Sequence, residues 1–242
     1  MSHLAHTRPR SAAEIIDAAF RLYRAHWGEL VMVSALLLVP PALLTVVTPP
    51  WFHSVIQLSE NLMFLVVQGA MAVLVSAAIE EDRAISAGET LRRLGARAGS
   101  VLGASILSLI IIMIGALFLI VPGVVLAVWT SVATPVAAIE RVRSSRAIER
   151  SRELTRGHFW RTLGTVLFAW IIMFVLAFGG SLAIEMIGVP EAISDGLLAL
   201  LFVALFPFVG IAVTLLYYDL RVRNEGADLV AMIEALETRS RL

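Results

Sequence analysis

The sequence predicts an all-α, polytopic membrane protein: six transmembrane helices as three amphipathic-helix-plus-hairpin repeats, with N and C termini inside. Three observations predict it. Apolar residues fill 59% of 242 positions and charged residues only 16%, against roughly 45–50% and about 25% in soluble domains. The apolar residues gather in long charge-free runs, and about 20 consecutive residues of this kind cross a bilayer as a helix. All nineteen basic residues are arginine, and they fall only in alternate segments between those runs.

Charged residues fence the runs. Thirty residues without Asp, Glu or Arg separate Glu29 from Glu60, with Leu30–Val47 the densest apolar part, and nineteen separate Glu60 from Glu80. The first run starts near Gly28 with no small-residue cleavage site after it, so it is expected to be a retained span. Forty-two residues separate Arg97 from Glu140. As one helix these would extend about 63 Å, twice the hydrocarbon core. Pro122-Gly123 predicts a turn between two helices, Val101–Val121 and Val124–Ile139. The second of these is short and carries Pro135, so a tilted or re-entrant segment is expected. Arg161 to Glu185 and Asp195 to Asp219 each enclose a run of twenty-three. Interior prolines at Pro40-Pro41, Pro135 and Pro207 predict kinks, whose freed carbonyls neighbouring helices can satisfy.

Orientation follows from the arginines. One side holds the N-terminal segment, the Arg83–Arg97 loop, the Arg141–Arg161 loop and the tail, and with them every basic residue. The other side holds Thr48–Glu60, the Pro122 turn and Glu185–Asp195, none with an arginine. Cytoplasmic loops carry the arginine excess, which places both termini inside and the chain in a cell (inner or plasma) membrane. Trp27, Trp160 and Tyr217-Tyr218 then fall at the inner interface and Trp51 at the outer one, as an aromatic belt requires.

The arginine-rich segments are themselves patterned. Ser11-x-x-Glu14 has capping-box spacing and leads into Ile15, Ile16, Ala19, Phe20, Tyr23 and Trp27 on one helical side. Ser86-x-x-Glu89 opens a similar segment with Leu91, Leu94 and Ala98. A third, from Ser145 to Arg161, carries Ile148, Leu154 and Phe159-Trp160, its serine-to-glutamate spacing one residue longer. Each precedes two spans, which divides a single membrane domain into repeats over 10–79, 84–139 and 144–218. A tail, 219–242, follows with an amphipathic helix at Ala227–Leu236. Repeats in one orientation are related by an axis along the membrane normal, so a pseudo-threefold bundle is expected. Its arginine-rich helices are expected to lie in the headgroup layer.

Three segments stand out: Pro9-Arg10-Ser11 leading to Ile15, Asp17, Ala19 and Phe20-Arg21-Leu22-Tyr23; Val121-Pro122-Gly123 with Glu140 and the stretch Glu149–Arg161; and Leu215–Gly226 around Tyr217-Tyr218-Asp219. Together they resemble a bacterial membrane family named for the membrane domain attached to some glycerophosphoryl diester phosphodiesterases. The resemblance covers nearly the whole chain. It implies a stand-alone multi-helix membrane protein of undefined biochemical role, without the catalytic barrel of the fused enzymes.

Little in the sequence points to catalysis. Cysteine is absent, which removes disulfides and thiolate chemistry. His3, His6, His26, His53 and His158 make no pair with metal-ligand spacing. No catalytic residue, cofactor or metal is therefore expected, and no nucleic-acid partner. Gly99-x-x-x-Gly103 predicts close helix packing. Gln68 is the only strongly polar side chain near a span centre, which disfavours a pump built on buried carboxylates. The candidate site is a cytoplasmic collar of Asp17, Arg21, Arg150, Glu153, Asp219, Arg221 and Arg223. It either forms ion pairs that hold the helices on the bundle ends, serving as a docking or lipid-headgroup surface, or only fixes topology. The expected partners are the phospholipid bilayer and a membrane protein. A non-enzymatic scaffold or accessory in envelope or lipid physiology leads, ahead of a transporter or channel component and then a membrane-embedded enzyme.

Overall fold

The computed structural model describes residues 10–240, with side chains described throughout except at 45–47, 50, 53, 60–61, 191–192 and 227–240. The described chain is helical: α1 Ala12–Val47, α2 His53–Glu80, α3 Ala87–Gly95, α4 Ala98–Phe118, α5 Ile120–Thr130, α6 Ala133–Glu140, α7 Ser144–Thr155, α8 Phe159–Ile187 and α9 Glu191–Ser240, with one 3-10 turn at Pro50–Phe52. Six helical stretches among the described residues are long and apolar enough to cross a membrane, with α5 and α6 together making the fourth. The chain is thus a multi-pass helical membrane protein.

The second hairpin turns earlier than Pro122-Gly123 suggests. α4 and α5 are joined by Leu119 alone, in extended backbone. Pro122 stands in the first turn of α5, where a helix needs no N–H donor, so it starts the helix and does not break it. The real interruption in this span is at Ser131-Val132. Pro135 causes it, since its ring cannot donate to the Ser131 carbonyl four residues back and collides with it. A carbonyl beside the break finds a side-chain partner, as expected of a membrane interior. The Ser151 hydroxyl of α7 donates to the Trp129 carbonyl at 2.7 Å. At Pro40-Pro41 the helical backbone continues, and α1 breaks instead at His26 (φ −124°, ψ 21°). α9 runs helically through Pro207, and the Tyr23 hydroxyl donates to the nearby Ala204 carbonyl at 2.7 Å.

Packing follows a cyclic rule. In each hairpin the first helix lies on the second: α1 on α2, α4 on α5 and α6, α8 on α9. Each first helix also touches the second helix of the preceding hairpin, α4 touching α2, α8 touching α5 and α1 touching α9. The second helices α2, α6 and α9 meet one another in the middle. This is the arrangement expected of a pseudo-threefold bundle.

The arginine-rich helices bury part of their apolar faces on other helices. The start of α1 descends antiparallel along α9: the Arg10 amide bonds Asp219, the tilted rings of Phe20 and Phe208 meet with centroids 4.6 Å apart, and Tyr23 reaches Ala204. Its apolar residues Ile15, Ile16 and Ala19 are buried there. α3 rests on α2, and α7 on α4 and α6, with Leu94 and Leu154 buried beneath them. The sequence pattern finds these apolar faces but cannot say whether lipid or protein covers them. As a result α2 is enclosed over Val67–Ala77 and α9 over most of Val203–Leu220, while Met32, Leu36, Ile110, Met113, Phe174 and Leu200 form part of an outward apolar belt beyond.

Two helix starts are capped as their spacing predicts. Ser11 and Glu14 exchange hydrogen bonds in a full capping box, and the Ser86 hydroxyl accepts from the Glu89 amide at 3.3 Å. The third differs. α7 begins one residue early, at Ser144, with no side-chain cap, and the Ser144 hydroxyl donates to the Ser100 carbonyl at 3.1 Å. Of Gly99 and Gly103, only Gly103 is pressed, against Ser144, while Gly99 faces open space. α9 passes unbroken through position 219 into the tail, so no backbone boundary separates the third repeat from it. The apolar face expected on Ala227–Leu236 lies outside the described side chains.

Candidate functional site

The three central helices each carry an acidic residue near the arginine-rich end of the bundle: Glu80 ends α2, Glu140 ends α6, and Asp219 lies within α9. Asp219 is the most buried of them, its side chain 1% exposed. One carboxylate oxygen accepts from the Arg10 amide at 2.6 Å, and the other from Arg161 and Arg223, each at 2.9 Å. Arg223 also donates to the Arg10 carbonyl at 3.0 Å. Asp219 thereby ties the first helix of the chain to the start of α8. The tyrosines beside it reach the other two acids. Tyr217 donates to Glu140 at 3.0 Å and Tyr218 to Glu80 at 2.7 Å. Tyr217 is fully buried, so its ring faces protein and not the membrane interface. Trp27, Trp51 and Trp160 keep the exposure that an aromatic belt needs.

Of the seven candidate collar residues, five join this assembly. Asp219 and Arg223 form the hub just described. Arg150 lies within 3.6 Å of Glu140, Glu153 and Glu225, and Arg221 bonds Glu225 at 2.8 Å, so α6, α7 and α9 share one ion-pair chain. Asp17 and Arg21 pair with each other on the exposed side of α1 and join nothing else. An exposed pair of this type stabilises by at most a few tenths of a kcal/mol (~0.3–0.5).

Other residues of the site carry no local signal. Arg161 lies fifty-eight positions from Asp219, and Glu29, which only looked like the edge of a span, accepts from the Ala87 amide at 2.7 Å and caps α3. Around α3, Arg83 and Arg93 each bond both Glu81 and Glu89. The hydrogen bond from Arg93, then that from Arg83, holds the Glu81 carboxyl down at about 2. Its ordinary value is 4.5, so the pairing stabilises the folded loop at neutral pH and loses that contribution as pH falls from about 4.5 through about 2. A carboxyl-carbon NMR titration is expected to find Glu81 at about 2, and Arg93→Ala should raise it toward its ordinary value. A wild-type midpoint near 4.5 would mean that the pairing is absent in solution.

Next to this loop lies an open cleft of about 530 Å³, lined by Arg92, Arg93, Ala96, Arg97, Ser100, Ala137 and Arg141. Arg93 is committed to its two glutamates. Arg97 donates to the Ala138 carbonyl, left free by the end of α6. Burial, and then the neighbouring charges of Arg141 and Arg93, push the Arg97 guanidinium down from its usual range. Arg141 ends α6 in the left-handed region (φ 57°), a conformation few non-glycine residues adopt. Among the described residues neither Arg92 nor Arg141 has a hydrogen-bonding or ion-pair partner, and no group of three His, Asp or Glu could hold a metal.

Compared with family models, curated proteins and solved structures, the chain matches none of them.

Proposed function

We propose that the chain is a non-enzymatic integral protein of the bacterial inner membrane, its termini cytoplasmic, acting as a scaffold or accessory in envelope or lipid physiology. The observation that carries this reading is the lock at the arginine-rich end. Asp219 clamps α1, α8 and α9, while Tyr217 and Tyr218 bind the last acids of α6 and α2. All three hairpins are thus fixed to one another on the side where their charged helices are displayed. The centre is filled as well: the Met71 side chain lies 2.8 Å from where a Cβ on Gly210 would sit, and Gln68 is 3.1 Å from it. A rigid, filled bundle presenting a charged face suits docking better than passage. The arginine distribution supports the orientation, and the resemblance noted in the sequence supports a stand-alone membrane module by analogy.

One observation favours a transporter or channel component instead. The fourth span is broken at Ser131-Val132, and discontinuous spans form substrate sites in many carriers.

Extraction in native-membrane discs, followed by mass spectrometry of what remains bound, separates the two. The scaffold reading expects a stoichiometric membrane-protein partner, which Arg150→Ala with Arg221→Ala should weaken. Recovery of a bound small metabolite without such a partner would replace it with the transport reading.

A further inference from the structure

The arginine cleft is not used by the lock, and its charge is not balanced. Glu81 and Glu89 neutralise Arg83 and Arg93, which leaves Arg92, Arg97 and Arg141 around one opening. Glu80, which accepts from the Tyr218 hydroxyl, is the remaining acid that acts on Arg97, one negative charge against three positive ones. Arg97 has lost hydration by burial and feels the like charges of Arg141 and Arg93 beside it. An anion would relieve that repulsion. Arg97 is already aimed and held by the Ala138 carbonyl, whereas Arg92 and Arg141 are exposed and free to close on a ligand.

A helix start adds to this. α4 is twenty-one residues long and starts beside the cleft, near Ser100, with no side-chain hydrogen bond capping it. The positive end of the helix dipole favours negative charge at that place. Arginine forks match the oxygens of phosphate in pairs.

We propose that this cleft binds a dianionic phosphate monoester, gripped by Arg92, Arg97 and Arg141 over the start of α4. The site is independent of whether the bundle is a scaffold or a carrier. Two sources share this chemistry, the headgroup of phosphatidic acid and a soluble phosphate.

The test uses the full chain in phosphatidylcholine nanodiscs doped with phosphatidic acid, with native mass spectrometry of bound lipid, and in detergent with inorganic phosphate by calorimetry. The probe variant is Arg92→Gln with Arg141→Gln. Its control, Arg24→Gln with Arg156→Gln, removes the same charge elsewhere. Wild type and control should bind the probe, and the cleft variant should bind it about tenfold or more weakly, since each charge-assisted hydrogen bond contributes roughly that factor. Selective retention of phosphatidic acid with no response to phosphate assigns a lipid headgroup. A phosphate response that the cleft variant loses assigns a soluble ligand. If wild type binds neither, or if the control loses as much as the cleft variant, the proposal is overturned. All four substituted arginines are exposed, so the variants are expected to fold, and an unchanged unfolding temperature checks this.

Discussion

Asp219→Ala is expected to lower the unfolding free energy by about 3–5 kcal/mol, the range for removing one member of a buried ion-pair network. The size comes from what is left behind more than from what is lost. Arg161 and Arg223 would keep their charges with side chains only 22% and 24% exposed, and the Arg10 amide would lose its acceptor. Asp219→Asn should fall between, because its side-chain carbonyl still accepts hydrogen bonds but no longer offsets two positive charges. Asp17→Ala supplies the contrast. It breaks an exposed i,i+4 pair and should change stability by no more than about 0.5 kcal/mol. Equilibrium unfolding in one detergent, followed by tryptophan fluorescence, measures all three. Equal values for Asp219→Ala and Asp17→Ala would show that the hub does not hold the bundle together.

The same two aspartates show what the sequence can and cannot disclose. Asp17 and Arg21 are four residues apart on a helix, so their pairing is legible from spacing alone. Of the partners of Asp219, only Arg223, four residues on, can be read that way; Arg10 and Arg161 reach it only after three hairpins have closed. Spans were legible because charge-free runs of bilayer length leave few alternatives, and the one misplaced turn has a specific cause. Pro122-Gly123 is an ordinary turn signal, yet the same dipeptide suits the first turn of a helix. The chain uses it there, one helical turn after the true corner at Leu119. Amphipathic faces were equally visible, but a stripe such as Ile15, Ile16 and Ala19 is satisfied by lipid or by α9 alike. Tyr217 and Tyr218 were read as interfacial because they close an apolar run. Nothing local records that Glu140 and Glu80 lie opposite their hydroxyls.

The corner at Leu119 sets up a second large effect. A one-residue connection forces α4 and α5 to leave the turn almost in contact. Gly123 permits this: a Cβ there would lie 3.0 Å from the backbone nitrogen and Cα of Ala116 and 3.1 Å from its Cβ. Those neighbours are main chain or rigidly attached to it, so they cannot swing aside as a long side chain would. Two effects then compete in Gly123→Ala. Alanine favours the helix by up to about 1 kcal/mol, while overpacking typically costs about 1–3 kcal/mol. Because the obstruction is backbone, the second should win, with a net loss of about 1–2 kcal/mol. Gly123→Leu must pry the hairpin open and should lose more. Gly164→Ala separates the terms, since Gly164 is also helical but faces open space, and it should be neutral or stabilising by up to about 1 kcal/mol. If Gly123→Ala were as benign as Gly164→Ala under the same unfolding measurement, the close approach at this corner would not exist in the folded protein. The fourth span would then be free to start elsewhere.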